Sequence, residues 1–318
     1  MTIADERSAW AGFWTRVGAF VLDSTLVGAV AAATGFGAFD LMARLGPAAR
    51  LIGLALAAGY FGVLGSRIAG GQTLGKRLFK LRVVGLDGNP LPLGRALVRA
   101  VLVSLPFIVN GIALKADGGV AAYAVGILAP TTLFGLGLAQ VYLLIFNRPS
   151  RRLVHDLLLG SMVVRTDATT TAIDAPADAV HRRVALGIVA AFFVLACGLT
   201  LYSRQSLPGW LAALQPPLNA VNALPEVMVA GVSDNTSVMV TVQTGRTTTR
   251  TLIITAQLNT WPRDQGAEAL RVAHTALAHY RLSPGMGIRV LLRYGFDMGI
   301  GSGWRTYQTA IPVQPPAK

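Results

Sequence analysis

Five stretches of the chain are almost free of charge, and they set the first expectation. Phe13 to Phe39 is apolar apart from Arg16 and Asp23, and Arg50 to Gly65 follows after a short loop holding Arg44, Gly46 and Pro47. Ala100 to Leu114 is apolar but contains Pro106 and Asn110. Gly118 to Phe146 carries no charged residue, and Val184 to Tyr202 lies between Arg183 and Arg204. Roughly 20 apolar residues at helical rise cross the hydrocarbon core, so the pattern predicts five membrane-spanning helices. Small residues recur four apart at Gly28 and Ala32, Gly53 and Ala57, and Gly187 and Ala191, where helix backbones can approach closely.

Beyond Tyr202 the pattern changes. Ser203 to Leu224, with Pro208, Pro216 and Pro217, reads as an irregular stalk. Ser237 to Gln243 and Thr249 to Leu258 alternate with period two and predict a hairpin. Pro262 to Tyr280 predicts a helix, with Asp264 and Glu268 in its early turns and Leu270, Ala273, Leu277 and Tyr280 on one face. Ile288, Val290, Leu292 and Tyr294 alternate again, and Trp304 to Ile311 makes a fourth strand. The expected fold is an all-α multi-pass transmembrane helix bundle with a small C-terminal α+β domain, ordered strand, strand, helix, strand, strand. Its parts are a membrane domain over 1–167 with about four helices, a cytoplasmic linker over 168–183, a fifth transmembrane helix over 184–202, a stalk over 203–224 and an extracytoplasmic domain over 225–318.

Composition agrees with a membrane protein. Of 318 residues 53% are hydrophobic and only 14% charged, and the mean hydropathy is +0.53. The formal net charge of +13 has a distribution that fixes orientation. Arg67, Lys76, Arg77, Lys80, Arg82, Arg95 and Arg99 lie between the second and third apolar stretches. Arg148, Arg151, Arg152, Arg165, Arg182 and Arg183 lie between the fourth and fifth. Positive loops stay cytoplasmic, so the N-terminus is expected in the cytoplasm and the C-terminal domain in the periplasm or outside the cell. The N-terminus, MTIADERSAW, lacks the positive flank of a cleavable leader, so the first apolar stretch is expected to remain in the protein. No zinc-ligand set or aromatic-interleaved basic run accompanies the charge, which argues against nucleic acid. Cys197 is the single cysteine and lies in an apolar run.

One short motif invites a different reading. In GGQTLGKR, Gly70, Gly75 and Lys76 fit the start of a phosphate-binding loop, but Arg77 stands where a Ser or Thr hydroxyl must bind magnesium. The motif also follows an apolar helix instead of a strand, and LFKLRVVGLDGNP after it predicts a short strand and a turn. It therefore reads as a tight turn, with Lys76 and Arg77 facing water or anionic headgroups. His274 and His279 are about 140° apart around their helix and do not converge on a metal. No acid, base and nucleophile combine into a catalytic set, so no enzyme activity, cofactor or metal is expected.

Three blocks together resemble the RDD family of bacterial membrane proteins: FWTRVGAFVLDSTL, GGQTLGKRLFKLRVVGLDGNPLPLGRALVR and FNRPSRRLVHDLLLGSMVVR. They occur in family order within the first half of the chain. The resemblance implies a multi-pass membrane domain, with cation/proton antiport suggested for some members. The family's arginine and two aspartates fall on Arg16, Asp23 and Asp156, and the loop block supplies Gly71, Gln72, Thr73, Gly75 and Lys76. The fifth apolar stretch and the C-terminal domain lie beyond the family pattern.

Arg16 and Asp23 are two helical turns, roughly 10 Å, apart, too far to bond directly. A carboxylate at the depth of Asp23 costs on the order of 3 kcal/mol on insertion scales, so it needs a proton, a cation or a partner. Two readings follow. One is ion or proton-coupled transport through Arg16, Asp23 and Asp156, with protons or monovalent cations as partners beside the lipid bilayer. The other is an assembly or sensory protein, in which these residues tie helices to a cytoplasmic loop and the basic outer domain binds an anionic partner protein or surface.

Overall fold

The computed structural model describes residues 9–112, 115, 124–148, 150–167, 179–205, 209–241 and 245–311. Most of the expected linker, the start of the fourth apolar stretch and the end of the third lie outside the described residues. Helix α1 spans Phe13–Gly37, α2 Phe39–Leu45 and α3 Ala49–Leu64, the last two joined through a single turn at Gly46–Ala48. Further on are α4 (Leu74–Leu78), β1 (Leu81–Gly85), α5 (Leu93–Val109), α6 (Ala129–Phe146), α7 (Val154–Leu159), β2 (Ser161–Arg165) and α8 (Ala179–Gln205). Among the described residues four helices are long and apolar enough to cross a membrane: Phe13–Gly37, Phe39–Leu64, Gly126–Phe146 and Ala179–Ser203.

The expected third span is not among these four. Helix α5 begins at Leu93, seven residues before the apolar stretch, and is 17 residues long, with Arg95 and Arg99 in its first two turns. It nevertheless runs the length of α3. At one end Arg99 meets Asp156 of α7, and at the other the Ile108 and Asn110 carbonyls accept from Arg50 at the start of α3, at 2.5 and 2.7 Å.

A compact cap forms where α1 begins and α3 ends. Strands β1 and β2 pair antiparallel from Leu81 opposite Arg165 to Gly85 opposite Ser161, and Trp10 bridges to Val164. Leu81, Val83, Leu91 and Val163 are buried with Ala11 and Ala19. The strand after Lys80 is the one its sequence predicts.

The C-terminal half contains α9 (Gly209–Ala212), α10 (Gln215–Asn222), β3 (Val227–Thr241), β4 (Gly245–Leu258), α11 (Gln265–Leu277), β5 (Gly287–Asp297) and β6 (Ser302–Ile311). The sheet order is β3-β4-β5-β6, antiparallel except for the β4–β5 pair. That parallel pair requires a crossover, which α11 provides. Asp264 starts α11 by accepting from the Ala267 amide at 2.9 Å. The helix buries Ala269, Val272, Ala273 and Ala276 against Leu252, Ile254, Val290 and Leu292.

Two expectations change here. Leu270 is 45% exposed, so the buried face of α11 is turned from the one centred on Leu270, Ala273 and Leu277; small alanines let the helix sit close to the sheet. The expected irregular stalk holds α9 and α10, and Leu214 and Val221 join the domain core. Prolines at the first positions of α10 suit a helix start, where an amide donor is not needed.

The sheet is seated on the membrane helices at the end opposite the cap. The end of β5 and the turn after it carry Phe296 and Met298 into a cluster with Ala31 of α1, Met42 of α2 and Ala49 of α3. Arg50 pairs with Asp297 at 2.5 Å, and the Tyr294 hydroxyl donates to Asp40 at 2.8 Å. The small residues of α1 and α3 make this seat. A Cβ at Gly35 would fall 2.1 Å from the Phe296 ring, and one at Gly53 2.0 Å from the Met298 carbonyl oxygen. Gly28 likewise faces the Ile300 carbonyl oxygen, so these glycines admit the turn.

A Cβ on Gly301 would lie 3.2 Å from that of Ala31, close to the roughly 3.5–4.5 Å of a disulfide. In a Cys197→Ser background, Ala31→Cys with Gly301→Cys is expected to cross-link under mild oxidation in membranes. The check is a mobility shift on gels, reversed by reductant; no cross-link would refute the seat.

Candidate functional site: a polar cap and two cavities

Asp23 is fully buried and has three hydrogen-bond donors. The Tyr60 hydroxyl of α3 donates at 2.7 Å, the Thr73 hydroxyl at 2.5 Å and the Gly75 amide at 2.7 Å, with Lys76 Nζ 3.7 Å away. The GGQTLGKR loop is shaped to reach it. Gly70 and Gly71 take positive φ of 67° and 76°, a region open to glycine. Gln72 Nε2 donates to the Leu81 carbonyl at 2.8 Å, which fixes the loop to β1. Thr73 starts α4, its hydroxyl accepting from Lys76, and Gly75 lets α4 touch α1, since a Cβ there would lie 2.3 Å from the Ala19 carbonyl oxygen. The tight turn is as expected, but Lys76 is not: it points inward to Asp23, and only Arg77 faces out.

Arg16 meets neither aspartate directly. Its guanidinium donates to the carbonyls of Ala11, Arg151, Ser150 and Val163 at 3.2, 2.8, 2.7 and 2.9 Å. The charge of Arg16 therefore binds α1 to the loop before α7 and to β2. Arg151 presents its carbonyl from a left-handed backbone, φ 47°.

Asp156 pairs with Arg99, whose Nε and Nη2 both lie 2.9 Å from Oδ1. It also accepts from Ser161 Oγ at 2.7 Å and from the Leu153 amide at 3.4 Å. The short helix α7 that carries Asp156 is thereby tied to α5. Arg99 was not singled out in sequence. Its signal was present in Arg95 and Arg99, four residues apart on one helix face, and Arg95 donates to the Leu159 carbonyl.

The buried charges of the cap perturb one another. Burial pushes Asp156 up, but Arg99, His155 and Ser161 outweigh it and hold it well below the usual carboxylate range. Burial lowers His155 to about 3 against the pull of Asp156. Lys76 is lowered to about 8, first by burial and then by Arg99, with Asp23 opposing.

Two cavities lie between the helices above these groups. The inner one, about 350 Å³, is walled by α1, α5, α6 and the cap, with Lys76, Arg99, His155 and Asp156 at its polar end. The outer one, about 250 Å³, is lined by Ser24, Ala57 and Ser104 and by Gly299 and Ile300 of the β5–β6 turn. Phe20, Phe61, Val103 and Phe107 border both, the Phe20 and Phe107 rings being 6.3 Å apart. Among the described residues no group of His, Cys, Asp and Glu is arranged to hold a metal ion.

Residues 10–160 match the model of the RDD family, while α8 and the sheet-bearing C-terminal half lie outside the match. No curated protein and no solved structure matches the chain.

His155 is uncharged in the folded cap at neutral pH, whereas an unfolded histidine gains a proton near pH 6.5. The unfolded state then binds more protons, so stability is lost as pH falls from about 6.5 toward 3, by at most ~1.4 kcal/mol per pH unit. Thermal unfolding of the purified protein between pH 7 and 5 should show this slope, and His155→Gln should flatten it. Equal slopes in both proteins would refute the assignment.

Proposed function

We propose that this RDD-family membrane protein lies in the inner membrane with its cap in the cytoplasm and its sheet domain outside, and carries out proton-linked transport through the two cavities. It needs no enzymatic step. The observation that carries this reading is the alignment of the cavities between a charged cap at one end and the β5–β6 turn at the other, divided by Phe20, Phe61 and Phe107. The concentration of Lys and Arg in the cap supports the orientation.

The proton-bearing group that meets the inner cavity is Lys76, and Asp23 is its counter-ion. Asp23 does not border the cavity; Lys76 does. With a value of about 8, Lys76 can lose and regain a proton near neutral pH at small cost. Monovalent cations suit the site less well, because they would meet an ammonium and a guanidinium while both oxygens of Asp156 are already engaged.

The test is proton flux in proteoliposomes under an imposed pH gradient, with the voltage clamped by potassium and valinomycin. Wild-type protein should dissipate the gradient, and Lys76→Met and Asp23→Asn should each slow it at least tenfold at equal protein content. Flux unchanged in both variants would end the transport reading.

A sensory role is the second reading, favoured by the Arg50–Asp297 pair that joins the outer domain to α3. On that reading, releasing the turn with Asp297→Ala should raise amide exchange in the cap as well as around Arg50. Exchange altered only at the seat would remove it.

A further inference from the structure

We propose that the inner cavity binds a single-chain amphiphile with an anionic head, drawn from the membrane, and holds that head through Lys76 and His155. This names a cargo class for the pathway above, but it rests on the cavity alone and its test reads binding.

The polar end of the cavity offers donors without enough acceptors. His155 is 5% exposed, and its Nε2 lies 3.2 Å from Arg99 Nη2. A guanidinium only donates, so Nε2 accepts and the neutral ring carries its proton on Nδ1. That Nδ1 is buried and has no hydrogen-bond partner among the described residues. An unmet buried donor costs about 1–3 kcal/mol, and His155 borders the cavity, so a small turn of the ring would bring this donor to an acceptor there. Lys76 has three ammonium hydrogens; Thr73 takes one at 3.2 Å and Asp23 lies toward another at 3.7 Å.

Charge points the same way. Arg16, Arg99 and Lys76 border this end and are buried or nearly so, against the two carboxylates Asp23 and Asp156. Cations therefore outnumber carboxylates where water is scarce, and the ligand that balances them is an anion. A carboxylate or phosphate head would also favour the charged form of Lys76.

The remaining wall selects a chain. Phe20, Val103, Phe107, Leu136, Val141 and Leu144 face the space, which is an apolar pocket with convergent polar groups at one end. Helix α6 packs along α8 on one side and turns its other side to the cavity, so the chain would lie between α6 and the α1–α5 pair. At about 30 Å³ per water-sized atom group, the cavity accommodates roughly a dozen non-hydrogen atoms. Decanoate is a matched probe.

The experiment uses the full chain in phosphatidylcholine nanodiscs and measures equilibrium binding of radiolabelled decanoate, decan-1-ol and inorganic phosphate. Decanoate should bind saturably, one per chain, with the alcohol and phosphate at least tenfold weaker. Lys76→Met should weaken decanoate at least tenfold. Gly137 provides the variant that spares the fold: it borders the cavity, and a Cβ there meets no described atom within 4 Å. Gly137→Leu should fill the space and abolish binding with the melting temperature unchanged. No saturable decanoate binding, equal affinity for the alcohol, or undiminished binding in Gly137→Leu would each overturn the proposal. Decanoate binding without proton flux would remove the transport reading and leave this one standing.

Discussion

A carboxylate inside an apolar helix is the constraint around which the membrane half is built. Left alone, Asp23 would cost on the order of 3 kcal/mol at that depth. Hydrogen bonds to a charged group contribute about 1.5–3 kcal/mol each, and Asp23 accepts three. The donors outweigh the penalty, and they come from three places in the chain. Helix α1 is thereby fastened to α3 through Tyr60 and to the glycine loop through Thr73 and Gly75, and the loop in turn is fastened to β1 through Gln72.

The same logic of satisfied polar groups runs through the rest of the cap. Arg16 gathers the carbonyls of Ala11, Ser150, Arg151 and Val163, and Arg99 joins α5 to α7 through Asp156. At the opposite end Arg50 ties α3 to α5 and to the C-terminal sheet. Arginine suits all three places because its planar fork serves several acceptors at once. The helices between these ties are held by small residues and aromatic rings, which leaves the two cavities in their middle.

Much of the element order could be read from the chain. Ile288, Val290 and Leu292 alternate and face the core, and Asp264 marks the start of α11. What escaped depends on tertiary contact. Strand β3 begins at Val227, ten residues before the alternation at Ser237, because VMVAGVSDNT owes its extended form to pairing with β4. The small residues on α1 and α3 are legible as close-approach positions, yet nothing local says that they receive Phe296 and Met298. Arg16, Asp23 and Asp156 are each recognisable as buried polar groups, but their partners lie up to 147 residues away. The inward turn of Lys76 could not be read from a loop whose composition also suits water.

The Arg50–Asp297 pair spans 247 residues, which gives the molecule an order of assembly. The ribosome finishes α1 and α3 long before it makes the strand that closes over them, so a nascent chain carries an open glycine-lined notch until that strand is made. Completion of the carboxyl-terminal sheet is thus the step that seals the whole, and a chain stopped short of Asp297 would be left unsealed however well its first helices had inserted.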